Sequence, residues 1–84
     1  MSLIRFRIRL IDEHGKGSPD TLLSVYYAIG ADMTITDPDG WAEFEKECGL
    51  DESCSAKVVY QDEVLRDIEV KNGDTFSFSV IRGE

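Results

Sequence analysis

Histidine occurs once in the 84 residues, as His14 among turn-forming neighbours. A serine or cysteine nucleophile needs an activating base, and a general base needs a pKa near the working pH. One histidine supplies neither a Ser-His nor a Cys-His pair, so the chain reads as non-enzymatic and implies no cofactor. Cysteine is nearly as scarce, with Cys48 and Cys54 separated by five residues. That is not a CxxC spacing and no second ligand pair exists, which sets aside zinc and dithiol redox chemistry. Two readings of the pair remain open. One is a disulfide, contributing roughly 2 to 2.5 kcal/mol through loop entropy and pointing to an oxidising compartment. The other is a pair of half-buried free thiols. Long apolar runs are missing, so no membrane span is expected. The opening Met-Ser-Leu-Ile-Arg has no apolar h-region of a signal peptide. Repeats and low-complexity tracts are absent as well, and the length suits a single domain over residues 1–84, with 1–3 reading as an expression remnant.

Basic residues are few and unevenly placed. Nine Lys and Arg stand against 17 Asp and Glu, for a net charge of −8. Residues 1–30 hold four bases and three acids, and the remainder holds five bases and 14 acids. Most of this surface repels phosphate backbones, which argues against nucleic acid as a partner. The charge serves solubility, although a salt-adapted source fits it too.

What is present is alternation with period two. "LIRFRIRLI" sets Ile4, Phe6, Ile8 and Leu10 on one face and Arg5, Arg7 and Arg9 on the other. "LLSVYYAI" offers Leu23, Val25, Tyr27 and Ile29 as its inward set, and "DMTIT" offers Met33 and Ile35. After "TDPDG", Ala42 and Phe44 turn inward and Glu43 and Glu45 outward. "KECGLDESC" reads as a loop, followed by a strand "SAKVVY" with Ala56, Val58 and Tyr60 inward. A short turn at Gln61 and Asp62 leads into "EVLRDIEV", with Val64, Ile68 and Val70 inward. Asn72-Gly73 then turns the chain into "TFSFSVI", with Phe76, Phe78 and Val80 inward. Seven short strands separated by turn signals predict an all-β, antiparallel Greek-key sandwich.

The stretches "IRLIDEHGKGSPDTLLSVYY", "TITDPDGWAEF", "AKVVYQDEVLRDIEV" and "FSFSV" together resemble the carboxypeptidase regulatory-like domains, which share the transthyretin-like (prealbumin-like) sandwich. Thr36, Asp37, Asp39, Gly40, Ala42 and Phe44 stand where those domains carry their strand-to-strand corner. The bacterial Ig-like repeats of invasin-type adhesins have a very similar corner. The resemblance implies an accessory or spacer module of a surface, secreted or periplasmic protein, in families where some members bind protein or carbohydrate. It thereby favours a cell-envelope or extracellular setting. Two relatives with special chemistry do not fit. Hydroxyisourate hydrolases use several histidines, and this chain has only His14. Collagen-adhesin B-type domains join a first-strand lysine to a last-strand asparagine, whereas here the first strand holds arginines and the sole asparagine is Asn72, in a turn.

The same residues nominate contact sites. Asp37 and Asp39 present alternating carboxylates to a hard cation, but calcium requires six or more oxygens and the loop offers too few. The structural reading is that Pro38 and Gly40 set the backbone while the Asp37 side chain accepts from turn N–H groups. Trp41 points outward by parity and is the best single contact candidate, its competing role being to seal one end of the core beneath a loop. Tyr26, outward by the same rule, is the second, and the two together suggest a small carbohydrate-binding module. Arg5, Arg7 and Arg9 either dock an anionic partner or pair with Glu43, Glu45 and Glu47 across neighbouring strands. The outer row Thr75, Ser77 and Ser79 carries no charge to block edge pairing, leaving a homo-oligomer through that strand open.

Overall fold

The computed structural model describes residues 3–47, 53–61 and 63–80. They form seven strands: β1 (Leu3–Ile11), β2 (Leu22–Tyr27), β3 (Ala31–Ile35), β4 (Trp41–Glu47), β5 (Ser53–Tyr60), β6 (Glu63–Lys71) and β7 (Thr75–Ser79). Leu3 opens β1, opposite Glu47, and so belongs to the fold. Part of the segment expected as a loop from Lys46 to Cys54 is strand. Lys46 and Glu47 extend β4, Ser53 and Cys54 open β5, and the remainder lies outside the described residues. Among the described residues no helix is long and apolar enough to cross a membrane.

Two sheets face each other as a β-sandwich, one of three strands in the order β4-β1-β7 and one of four in the order β3-β2-β5-β6. All neighbours are antiparallel except β1 and β7, which run parallel from Arg7 opposite Thr75 to Ile11 opposite Ser79. The expectation of a wholly antiparallel sandwich is corrected at this pair. A chain that reverses at each connection sends its odd-numbered strands the same way, so the first and last strands are parallel wherever they meet.

The core is built from the inward rows of both sheets. Ile4, Phe6, Ile8 and Leu10 of β1 meet Leu23 and Val25 of β2 and Ala56, Val58 and Tyr60 of β5, with Phe6 stacked on Phe44 at 5.3 Å. Phe76 and Phe78 are only half-buried because β7 is a sheet edge.

Four inward assignments are overturned. Ile29 lies past the end of β2, beside Gly30 at φ +94°, and is 84% exposed. Met33 and Ile35 are exposed on the outer face of β3, while Asp32 and Thr34 share the inward parity of Val25 and Leu23. Val64 points outward because β6 carries a bulge: Val58 pairs with Arg66 and Val59 with Val64, so Leu65 is the extra residue. A single inserted residue reverses strand parity, and Leu65 packs against the core in place of Val64.

The turns are held by side chains reaching backbone. Asp12 accepts from the N–H groups of Lys16 and His14, which keeps its carboxyl below the usual range. Asn72 Oδ1 accepts from Arg5 N at 3.0 Å, tying the β6–β7 turn to β1. Beneath the acidic turn lies a buried hydroxyl network. Thr36 Oγ1 donates to Ser18 O at 2.6 Å and accepts from Thr21 N at 2.9 Å, and the Ser18 and Thr21 hydroxyls are 2.9 Å apart.

Candidate functional site: the arginine and tryptophan face

The outer face of the three-stranded sheet gathers most of the nominated residues. Period two turns Arg5, Arg7 and Arg9 away from the core, and the β1–β4 register sets Arg5 opposite Glu45, Arg7 opposite Glu43 and Arg9 opposite Trp41. Only the first pair closes: Arg5 Nε donates to Glu45 Oε2 at 2.6 Å. Glu47 faces Leu3 instead of an arginine. Arg7 and Arg9 turn to Trp41. Their guanidinium carbons lie 4.9 Å and 5.9 Å from the indole centroid, within cation–π range. Arg9 also donates from Nε to the carbonyl of Asp39 at 3.0 Å. Neither Arg7 nor Arg9 has an ion pair among the described residues.

Trp41 is therefore half-buried on the sheet surface beneath two cations. The indole face and the guanidinium N–H groups beside it make a surface suited to a planar anion such as a carboxylate. On the far side of β1, Arg9 is opposite Ser77 and Arg7 opposite Thr75, so two hydroxyls border the same strip. These belong to β7, a sheet edge, where Ser79 ends the strand.

The acidic turn serves this face as its corner. Asp37 Oδ1 accepts from Asp39 N at 2.9 Å and Trp41 N at 3.0 Å, while Gly40, at φ +86°, donates its N–H to Asp37 O. One Asp37 oxygen is thus committed to backbone, and the turn positions Trp41. We expect Asp37→Ala to destabilise the fold by about 1.5–3 kcal/mol, as hydrogen bonds to a charged group do, with urea unfolding as the measurement. Asp37→Asn, which keeps an acceptor oxygen, should recover more than half of that loss.

Tyr26 is on the outer face of the other sheet, opposite Ala31 and Lys57, so Trp41 and Tyr26 cannot touch one small ligand. Tyr26 instead borders an open depression of about 770 Å³ with Tyr27, Ser55, Lys57, Asp67 and Glu69. At one margin of the sandwich Lys46 Nζ donates to Ile29 O at 2.8 Å and lies 4.8 Å from the Tyr27 ring, whose hydroxyl bonds Asp32. Burial, and then the Asp32 charge, raise the Tyr27 pKa, so this phenol stays a protonated donor. Cys54 is disulfide-bonded; Cys48, the other cysteine of the sequence, lies outside the described residues.

Weighing the arginines against the glutamates alone misses the pairing of Arg7 and Arg9 with Trp41. The signal is nonetheless in the sequence: with β1 antiparallel to β4, a register placing Arg7 at Glu43 necessarily places Arg9 at Trp41.

No family model and no curated protein matches the chain. Among solved structures, it is similar to the Bacillus anthracis TIE protein, with a TM-score of 0.66 and 22% sequence identity over 95% of this chain and 16% of that one. The likeness is one of fold, and this chain spans about a sixth of that protein's length.

Proposed function

We propose that this chain is a non-catalytic module of carboxypeptidase regulatory-like type, a spacer or protein-interaction domain whose contact surface is the Arg7, Trp41 and Arg9 face. The observation that carries the reading is the pair of guanidinium groups turned onto Trp41 and, among the described residues, left without carboxylate partners. In a chain of net charge −8, two such cations beside an aromatic face select a carboxylate-bearing protein segment. The strand orders β4-β1-β7 and β3-β2-β5-β6 support a seven-stranded Greek-key, prealbumin-like arrangement. The Cys54 disulfide supports an oxidising setting, in the cell envelope or outside the cell. Similarity to one stretch of a much longer protein fits a module of a multidomain chain.

Residue-resolved NMR titration with an Asp- and Glu-rich peptide tests this function. The Trp41 indole and the Arg7 and Arg9 side chains should shift together, and Arg7→Ala should weaken binding about tenfold, a loss typical of an interface anchor. Unchanged signals on this face would remove the reading. A carbohydrate-binding module is the second reading, and the Tyr26 depression favours it over any site shared with Trp41. In that case a glycan panel shifts Tyr26, Ser55 and Lys57 and leaves Trp41 unmoved.

A further inference from the structure

The two outer faces of the sandwich differ in chemistry. The three-stranded sheet displays Arg5, Arg7, Arg9, Glu43 and Glu45. The four-stranded sheet displays Leu22, Tyr26, Met33, Ile35 and Val64, which are five of the seven large hydrophobic side chains exposed among the described residues. Register makes them one surface. Met33, Ser24, Val59 and Val64 are successive partners across all four strands, and Leu22 opposite Ile35 forms the next row. Neither row contains a charged side chain, in a protein where 31% of residues are charged. Charge returns in the row beyond, Ala31, Tyr26, Lys57 and Asp67, and in the one after it, where Glu69 is opposite Ser55. An exposed apolar area of this continuity marks an interaction surface.

We propose that this face binds a second copy of the chain, forming a face-to-face dimer through the outer side of β3, β2, β5 and β6. Charge selects that occupant. Two chains of net charge −8 repel wherever their acidic surfaces meet, and these uncharged rows let them approach without opposing like charges. A twofold interface must be complementary to itself, and this one is. An axis running along the strands between β2 and β5 sets Met33 against Val64 of the second copy. It also sets Tyr26 against Lys57 of the second copy, and Asp67 against Ala31, so no carboxylate faces a carboxylate. The broad face of a body 42 × 22 × 16 Å offers the ~800 Å² per partner that a stable interface buries.

Sedimentation equilibrium of the 84-residue chain over a concentration series tests the proposal. The expected result is a monomer–dimer equilibrium that tightens as salt rises from about 50 mM to about 500 mM and screens the net charge. Met33→Glu and Val64→Glu should each weaken association at least about tenfold. Both sites are exposed, circular dichroism reports whether each variant folds, and either one suffices. Thr75→Glu, on the β7 edge of the other sheet, should leave the dimer intact. A monomer at every concentration overturns the proposal, as does a dimer that survives Met33→Glu and Val64→Glu. So does one that Thr75→Glu abolishes, since that dimer would be paired through the β7 edge.

Discussion

Gly17→Ala is expected to lower stability by at least about 3 kcal/mol, beyond the ordinary range for an overpacked site. A Cβ at Gly17 would lie 1.9 Å from the carbonyl oxygen of Asp39 and 2.2 Å from its carbon. Both are backbone atoms, so no rotamer change relieves the overlap and the two loops must part. Separating them strains the hydrogen bonds from Leu10 N to Gly40 O and from Ser18 N to Leu10 O, each 2.8 Å, together with the Arg9 contact to Asp39 O. Gly40→Ala meets the reverse side of the same contact, 2.5 Å from Leu10 O, and adds the strain of a side chain at φ +86°. Gly15 is the control. It sits at φ +80°, and a methyl group added there would meet nothing within 4 Å, so Gly15→Ala should cost only the left-handed penalty of about 1–2 kcal/mol. Thermal unfolding separates these cases, because 1 kcal/mol moves Tm by about 4–8 °C in a domain of this size. A Gly17→Ala protein melting within a few degrees of the parent would mean that the 15–18 and 37–40 loops do not interlock.

That interlock explains what is legible in the sequence and what is not. "TDPDG" announces a turn, and the bonds from Asp37 to the N–H groups of Asp39 and Trp41 are those its residue types imply. Nothing local in "HGKGSP" says that its second glycine must admit another loop's peptide group, because that demand arises only in three dimensions. The strands show the same division. In β1 and β4 alternation identifies the core face correctly, since Ile4, Phe6, Ile8, Leu10, Ala42 and Phe44 are all buried. In β3 the same rule fails, because it assumes that the apolar face of a strand is the covered one. There the apolar residues Met33 and Ile35 lie on an outer surface, and Asp32 finds the Tyr27 hydroxyl on the inner side. In β6 the rule fails at Leu65, since a bulge is a property of the strand pair and leaves no trace in one strand's alternation. The candidate site is legible to the same depth. Parity gives Trp41 and the three arginines a common outward direction, but only the register brings Arg7 and Arg9 together over the indole. Parity likewise turns Tyr26 outward, yet sheet membership puts it on the opposite side of the molecule.

Phe6→Ala should be the most damaging truncation in the core, at about 3–5 kcal/mol. Phe6 sits at the middle of β1, the central strand of its sheet, is 1% exposed, and lies nearly parallel to the Phe44 ring at 5.3 Å. β4 pairs with its backbone on one side, and on the other the β6–β7 turn bonds its neighbours Arg5 and Arg7 through Gly73 N and Asp74 O, so the cavity left by the ring cannot close by collapse, and residual cavity volume sets the size of the loss. A domain of this length has roughly 4–13 kcal/mol of stability in total, so the variant should be largely unfolded under mild denaturant. Phe78→Ala provides the comparison on β7. Its ring is half-buried at a sheet edge, stacks on Phe76 at the longer distance of 6.5 Å and has Arg66 above it. Solvent and the flexible Arg66 side chain can fill part of the space, so its loss should be no more than about half that of Phe6. Urea midpoints at a common m-value decide the matter, since a shifted midpoint with an unchanged slope reports stability alone. Equal losses at Phe6 and Phe78 would place the centre of the core nearer β7 than the packing of β1 against β4 allows.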